Sequence, residues 1–316
     1  MSEYPILPGK RTDWILSQRG PRNAVDAAKP YAFLVENEPS ASGEIVSVAV
    51  IFLTNAECPW KCVMCDLWRN TLVDPVQTGD IPSQIDYALE RLPQARQIKL
   101  YNSGSFFDPN AIPPSDYCAI ADRLRPFERV IVECHPSLVN DTVLGFRELL
   151  SGELEVAMGL ETVHPAALAA LNKRMTLADY ERAARFLGHN GIALRAFVLV
   201  QPPFIGAGKA EEWAARSAEF AFEYGATAVS LIPTRFGNGA LEALSTDRHF
   251  TPPTLHTFEA TFSRGLALER GRVFADLWDL QNFSVCDRCF AARRRRLERM
   301  NLEQRILAPI TCDCGT

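Results

Sequence analysis

From about residue 45 the chain alternates short, almost continuously apolar runs with longer amphipathic ones. The apolar runs lie at 44–55 (EIVSVAVIFLTN), 97–103, 129–134, 154–160, 192–200 and 227–233, and are rich in β-branched residues. Continuous rather than alternating hydrophobicity predicts strands covered on both faces, as in a parallel sheet. Between them, 83–92, 114–124, 141–150, 176–191 and 210–225 place apolar residues at helical spacing. The helix over 176–191 opens on Thr176 with Asp179 three residues on and stops at Gly191, and the next stops at Gly225. Six βα units with short connections predict a partly closed barrel or an open doubly wound sheet, and both collect chemistry at the C-terminal ends of their strands. The expected division is an N-terminal extension over 1–43, the βα core over 44–265 and a cysteine-rich tail over 266–316.

Composition adds bounds to this picture. With 316 residues, 47% hydrophobic and 22% charged, the chain has ample sequence for a buried core and is not globally disordered. A net charge of −5 argues against a molecule that clamps nucleic acid over its whole surface, while leaving room for a local basic patch. The start, MSEYPILPGKRTDW, lacks the basic-then-apolar pattern of a secretory signal, and no apolar run reaches membrane-spanning length. A cytoplasmic location without membrane contact is therefore expected, where thiols stay reduced and clustered cysteines mean metal or catalysis.

The nine cysteines are clustered: Cys58, Cys62 and Cys65, then Cys286, Cys289, Cys312 and Cys314, with Cys118 and Cys134 alone. The lone pair reads as small buried apolar residues. The first trio sits in AECPWKCVMCDLW (56–68), just past the first predicted strand on the chemical face. Its C-x3-C-x2-C spacing with an odd count suits a disulfide poorly. Zinc would need a fourth ligand, and the closest histidine, His135, lies two strands on. A cubane iron–sulfur cluster suits the spacing, with three thiolates at three corners and the fourth iron left open.

The stretch Cys58-Pro-Trp-Lys-Cys62-Val-Met-Cys65 after a first strand resembles the signature of the radical S-adenosylmethionine (SAM) enzymes. The resemblance implies a partial (βα)6 TIM-like barrel. It also implies a [4Fe-4S] cluster on Cys58, Cys62 and Cys65 whose open iron chelates SAM. Electron transfer from an external donor of flavodoxin or ferredoxin type would yield a 5′-deoxyadenosyl radical that takes hydrogen from substrate. Met64, before the last cysteine, would pack near the adenine. Asn102-Ser103-Gly104-Ser105 occupies the place of a glycine-rich segment that offers backbone groups to SAM, though only one glycine is present. Glu133, ending the third strand, would bind ribose or ammonium, and Glu161 is similar in position to a SAM-holding polar residue of the elongator-type and coproporphyrinogen-dehydrogenase-type branches. Arg195, inside an apolar strand, would be costly to bury without an anion, so it is expected to meet a SAM or substrate carboxylate, or Glu161. His135 reads as a turn histidine or a proton donor. Gly206-Ala-Gly208-Lys209 lacks the rest of a phosphate-binding loop and reads as a turn.

The tail quartet Cys286, Cys289, Cys312 and Cys314 has the ligand count of a zinc site and equally of an auxiliary iron–sulfur cluster. Between the pairs runs Arg293 to Arg296, either a solvated helix face or a phosphate-binding stripe. The segments LTNAECPWKCVMCDLW, LYNSGSFFD, ECHPSLV, GLETVHP and WDLQNFSVCDRCFAARRRRLERMN together resemble one subgroup of radical SAM proteins. That subgroup includes the archaeal enzyme that completes archaeosine in tRNA by cleaving a lysine C–N bond on a modified deazaguanine. The expected substrate is accordingly a modified base or nucleoside, as such or within tRNA. A small-molecule biosynthetic step is the alternative, and a non-enzymatic, zinc-stabilised RNA-binding protein is the rival of another class.

Overall fold

The computed structural model describes residues 3–314. Its centre is one eight-stranded sheet in sequential order: β1 (Ala32–Pro39), β2 (Ile45–Phe52), β3 (Gln97–Tyr101), β4 (Arg129–Cys134), β5 (Glu153–Glu161), β6 (Ala193–Val200), β7 (Ala226–Pro233) and β8 (Arg272–Ala275). β1 runs antiparallel to β2, and every later pair is parallel. The six predicted strands are β2 to β7. Two further strands flank them, and both escaped the apolar-run criterion. β1 carries Glu36 and Glu38 among its apolar residues, and β8 is only four residues long.

The sheet curls into a half barrel. Glu38 on the first strand bonds Arg195 on the sixth, a contact that a flat sheet would forbid. Helices cover the outer face, as continuous strand hydrophobicity requires: α2 (Asp80–Leu89), α3 (Tyr117–Leu124), α4 (Asp141–Leu149), α6 (Leu177–His189), α7 (Ala210–Glu223) and α9 (Leu255–Leu266). Ile98, Leu100, Val130, Val132 and Val156 meet Ile81, Ile85, Ile120 and Phe146 in this main core, all fully buried. The predicted cap of α6 is realised as a capping box between Thr176 and Asp179.

A second apolar cluster lies at the cysteine loop. Tyr4, with Trp14 and Ile15 of α1 (Pro8–Gln18), packs with Val63, Leu171 and Leu199, and with Leu241 and Leu244 of α8 (Ala240–Thr246). The N-terminal segment thus braces the loop. The last helix, α10 (Asp287–Glu303), lies beyond β8, while the short α5 (Pro165–Ala170) follows β5. No helix among the described residues is long and apolar enough to cross a membrane.

Candidate active site at the mouth of the half barrel

Chain direction brings the exits of β2 to β8 to one face, and the three-cysteine loop leaves β2 there. The loop backbone is held from several sides. Val63 N–H donates to Leu171 O (2.9 Å), Asn172 Nδ2 to Lys61 O (2.8 Å) and Asn238 Nδ2 to Val63 O (2.8 Å). Ahead of the first cysteine, Glu57 gathers Arg19 and Lys61 at 2.7 Å each and Arg22 at 2.5 Å. Burial pushes the Glu57 carboxyl up, and these three cations outweigh it to bring it to about 2. Neighbours thus hold the loop together with its own short-range bonds, from Lys61 Nζ to Cys58 O at 2.7 Å and from Cys65 N–H to Cys62 O at 3.2 Å. Burial drives all three thiols up, Cys58 to about 11 and Cys65 to about 12, so bare sulfur is ill suited to this setting as an anion without a cation to bind.

The β3 exit folds over this loop. Gly104 lies against the loop, where a Cβ would sit 3.3 Å from the Cys58 Cβ, a tight contact beside the first cysteine. Glu133 at the end of β4 organises the segment, its carboxylate accepting from Asn102 N–H at 2.9 Å and from the amides of Ser103 and Gly104. Burial raises Glu133 to about 7 against those donors and against the Lys173 charge. Asn102 is fully buried, yet neither its Oδ1 nor its Nδ2 has a partner among the described residues. Such an orphaned amide needs a ligand or ordered water to satisfy it.

Across the mouth, Glu161 ends β5 and accepts from Lys173 Nζ at 2.6 Å. Burial pulls Lys173 down, but Glu161 and the nearby Cys62 and Cys58 sulfurs hold it up, so it stays charged. Gly159 makes room for the pair, since a Cβ there would stand 2.1 Å from Glu161 Oε1 and 2.4 Å from Lys173 Nζ. Lys173 was not singled out from the sequence. It sits in a segment of ordinary loop composition, and only the fold returns it to the cysteines.

The backbone at this face is also strained. Ser103 (φ 54°), Glu161 (φ 63°) and Gln201 (φ 55°) follow or end β3, β5 and β6 in the left-handed region, and Asn172 (φ 58°) and Arg174 (φ 57°) flank Lys173. Non-glycine residues there cost energy and gather at functional sites.

His135 is a turn residue. Its Nδ1 accepts from Ser137 N–H, its ring stacks on Trp60 at 3.8 Å, and burial together with the Lys173 charge lowers it to about 3, so it is neutral. Met64 packs half-buried against the second apolar cluster.

Arg195 is not at the mouth with these residues. It pairs with Ala157 four residues before the end of β5, and its guanidinium bonds Glu155 (2.7 Å) and Glu38 (2.9 Å) rather than Glu161. Lys99 joins the same group through Glu36 and Glu38, and Arg129 through Glu155. The anion that a buried arginine demands is thus supplied from β1 and β5, and Lys173 takes Glu161 instead. The arginine run in the tail also departs from a phosphate-binding stripe. Arg293 and Arg296 are buried against Glu259, and Arg294 pairs with Glu298, leaving two of the four on the surface.

Above the buried ions, Phe52, Tyr101 and Phe197 line the inside of the curl, with ring centroids 6.1 Å and 5.9 Å apart along the row. Trp278, beyond β8, extends the row from Phe52 at 6.2 Å and is 55% exposed. At the rim Arg235 binds Asp276.

The tail quartet converges separately. Cys286 and Cys312 sulfurs are 4.0 Å apart, Cys289 and Cys314 3.9 Å, and all four ligand atoms lie within 4.8 Å of one another.

The sequence matches no family model. It is 23% identical to an uncharacterised protein of Methanocaldococcus jannaschii, over 93% of this chain and 87% of that one. It is 28% identical to the archaeosine synthase subunit beta of Methanosarcina acetivorans, over 69% of each chain. Among solved structures it is similar in fold to the Elp3 protein of Methanocaldococcus infernus, with TM-score 0.54 and 13% identity over 81% of this chain. The match spans 63% of that protein, less than two thirds of its length. The chain thus shares its fold with that solved structure, and its sequence is similar to the archaeosine synthase beta subunits.

Proposed function

We propose that Cys58, Cys62 and Cys65 hold a [4Fe-4S] cluster and that the residues around them hold SAM. When bound, that pair supplies a 5′-deoxyadenosyl radical that abstracts hydrogen from substrate. The observation that carries the reading is the buried Asn102, whose side-chain amide has no partner among the described residues and which stands just before the segment packed on Cys58. Asn102, with the Ser103 and Gly104 backbone, receives the amino-acid end or ribose of SAM. Glu133 keeps that segment in shape. Lys173 offers a charge to a carboxylate, with Glu161 fixing its ammonium. Arg195 acts as a positioning residue through the barrel floor, where its ions hold β1, β5 and β6 in the curl.

The substrate we infer is a modified nucleobase, in tRNA or as a nucleoside, that loses part of its substituent by cleavage of a C–N bond. Two observations support it: the relatives named archaeosine synthase subunit beta, and the aromatic row Phe52, Tyr101, Phe197 and Trp278, which suits a flat ring. The beta designation also suggests a second, unlike subunit and, with it, the surface that grips tRNA. Electrons come from a small external donor.

Anaerobic protein incubated with SAM and dithionite is expected to form 5′-deoxyadenosine. Adding tRNA that carries lysine-substituted deazaguanine is expected to convert that nucleoside to the amidine, read by mass spectrometry of the digest. Deoxyadenosine without any nucleoside change, with or without a partner subunit, would leave the enzyme class standing and remove the tRNA substrate.

A further inference from the structure

The four tail cysteines come from two places that the fold has to bring together. Cys286 is the residue before α10 and Cys289 lies in its first turn, whereas Cys312 and Cys314 belong to the tail after the helix. The return of the tail is built by Arg296, which donates from Nε to Ala308 O at 2.9 Å and from Nη2 to Leu307 O at 2.8 Å. Glu259 of α9 holds Arg293 at 2.6 Å and Arg296 at 3.5 Å, so the arginine run serves this clasp.

Sulfur spacing then separates the two metals that the ligand count left open. Four thiolates around one zinc at about 2.3 Å stand about 3.8 Å apart, the edge of a tetrahedron. In a cubane each thiolate binds a different iron, so neighbouring thiolates are pushed further apart by the iron–iron edge and by bonds that diverge from it. The pairs here are at 3.9 and 4.0 Å, and the whole quartet lies within 4.8 Å. Among the described residues this is the one set suited to a single ion, and the front trio is not such a set. The spacing is also about twice a disulfide bond, and no disulfide is present among the described residues. Arg293 also reaches Cys289.

We infer that Cys286, Cys289, Cys312 and Cys314 bind one tetrahedral zinc ion that locks the C-terminal tail onto α10, and that the enzyme carries no auxiliary iron–sulfur cluster. A single iron would fit the same sulfurs, but zinc stands above ferrous iron in affinity for such a site. The inference is independent of the substrate.

The test uses a Cys58→Ala/Cys62→Ala/Cys65→Ala variant, purified without oxygen, reconstituted with iron and sulfide, and desalted. It should hold about one zinc and neither iron nor sulfide. About four irons with sulfide would overturn the inference, as would one iron without sulfide or a protein with no metal. Should that variant not fold, the wild-type protein gives the same answer, with about four irons and one zinc expected against about eight irons for two clusters. In a Cys286→Ser/Cys289→Ser variant the zinc should vanish, the front irons should remain, and limited proteolysis should cut the tail first. Retained zinc or an equally protected tail would also overturn it.

Discussion

The floor and the mouth of the half barrel are both rich in buried charge, yet they are built on opposite terms. At the floor, Arg195 meets Glu38 and Glu155, Lys99 meets Glu36 and Glu38, and Arg129 completes Glu155. Burial raises Glu38 and Glu155, but Arg195 with Lys99 at Glu38, and Arg195 with Arg272 and Arg129 at Glu155, together outweigh it, and both carboxyls lie below the usual range. At the mouth the pairing is incomplete. The Asn102 side-chain amide has no partner among the described residues, Glu133 is raised toward neutrality, and five non-glycine residues stand in left-handed backbone. A closed set of ions holds a fold together. An incomplete and strained set, next to three thiols, is what a ligand would complete.

The sharpest way to break this comparison is to remove one thiol. Cys62→Ala should lose the front iron and drop 5′-deoxyadenosine formation to background, with the apoprotein fold intact by circular dichroism. Next in size is Arg195→Met, which strands Glu38 and Glu155. It should cost about 3–5 kcal/mol of stability in urea unfolding, while SAM affinity of the folded protein is unchanged. A variant with normal stability and lost SAM binding would put Arg195 back among the site residues.

Glu133 tests the open side by pH. Its folded carboxyl is raised from 4.5 to about 7 by burial, so between those values the folded apoprotein keeps a proton that the unfolded chain has released. Its contribution therefore turns against the fold as pH rises through that window and is level above it. Glu133→Gln should gain about 1–3 kcal/mol on wild type between pH 4.5 and 7, read from paired unfolding curves. A flat difference would show that the carboxylate is already ionised in the fold. Asn102→Ala is gentler still. With no side-chain partner to lose among the described residues, apoprotein stability should move by less than about 1 kcal/mol while SAM binding weakens about tenfold, measured by calorimetry. The smallest effect is expected at Arg294→Ala/Arg295→Ala, under about 0.5 kcal/mol for exposed side chains.

Legibility in the sequence followed the range of the interactions. The six parallel strands and the Thr176 cap were readable because apolar runs and caps are local signals. β1 was not, because its buried Glu38 makes sense only beside Lys99 and Arg195, which lie 61 and 157 residues away. Glu133 and Glu161 were placed at strand ends correctly, but their partners were not visible. Lys173 reaches Glu161 through a loop and a short helix, and nothing in its composition distinguishes it from a surface lysine. Arg293 and Arg296 show the same limit, since a run of four arginines reads as surface until Glu259 arrives from another helix.

By itself the sequence determined the βα order and the face on which chemistry gathers, because hydrophobic period and chain direction are properties of consecutive residues. It also put three thiols on one short loop, where spacing alone limits what they can hold. Tertiary structure decided which charges are structural and which face the opening. It likewise decided how near the tail sulfurs stand to one another. A buried ion's role depends on its counter-ion, and that partner is chosen by a curl of the sheet that no stretch of neighbouring residues encodes.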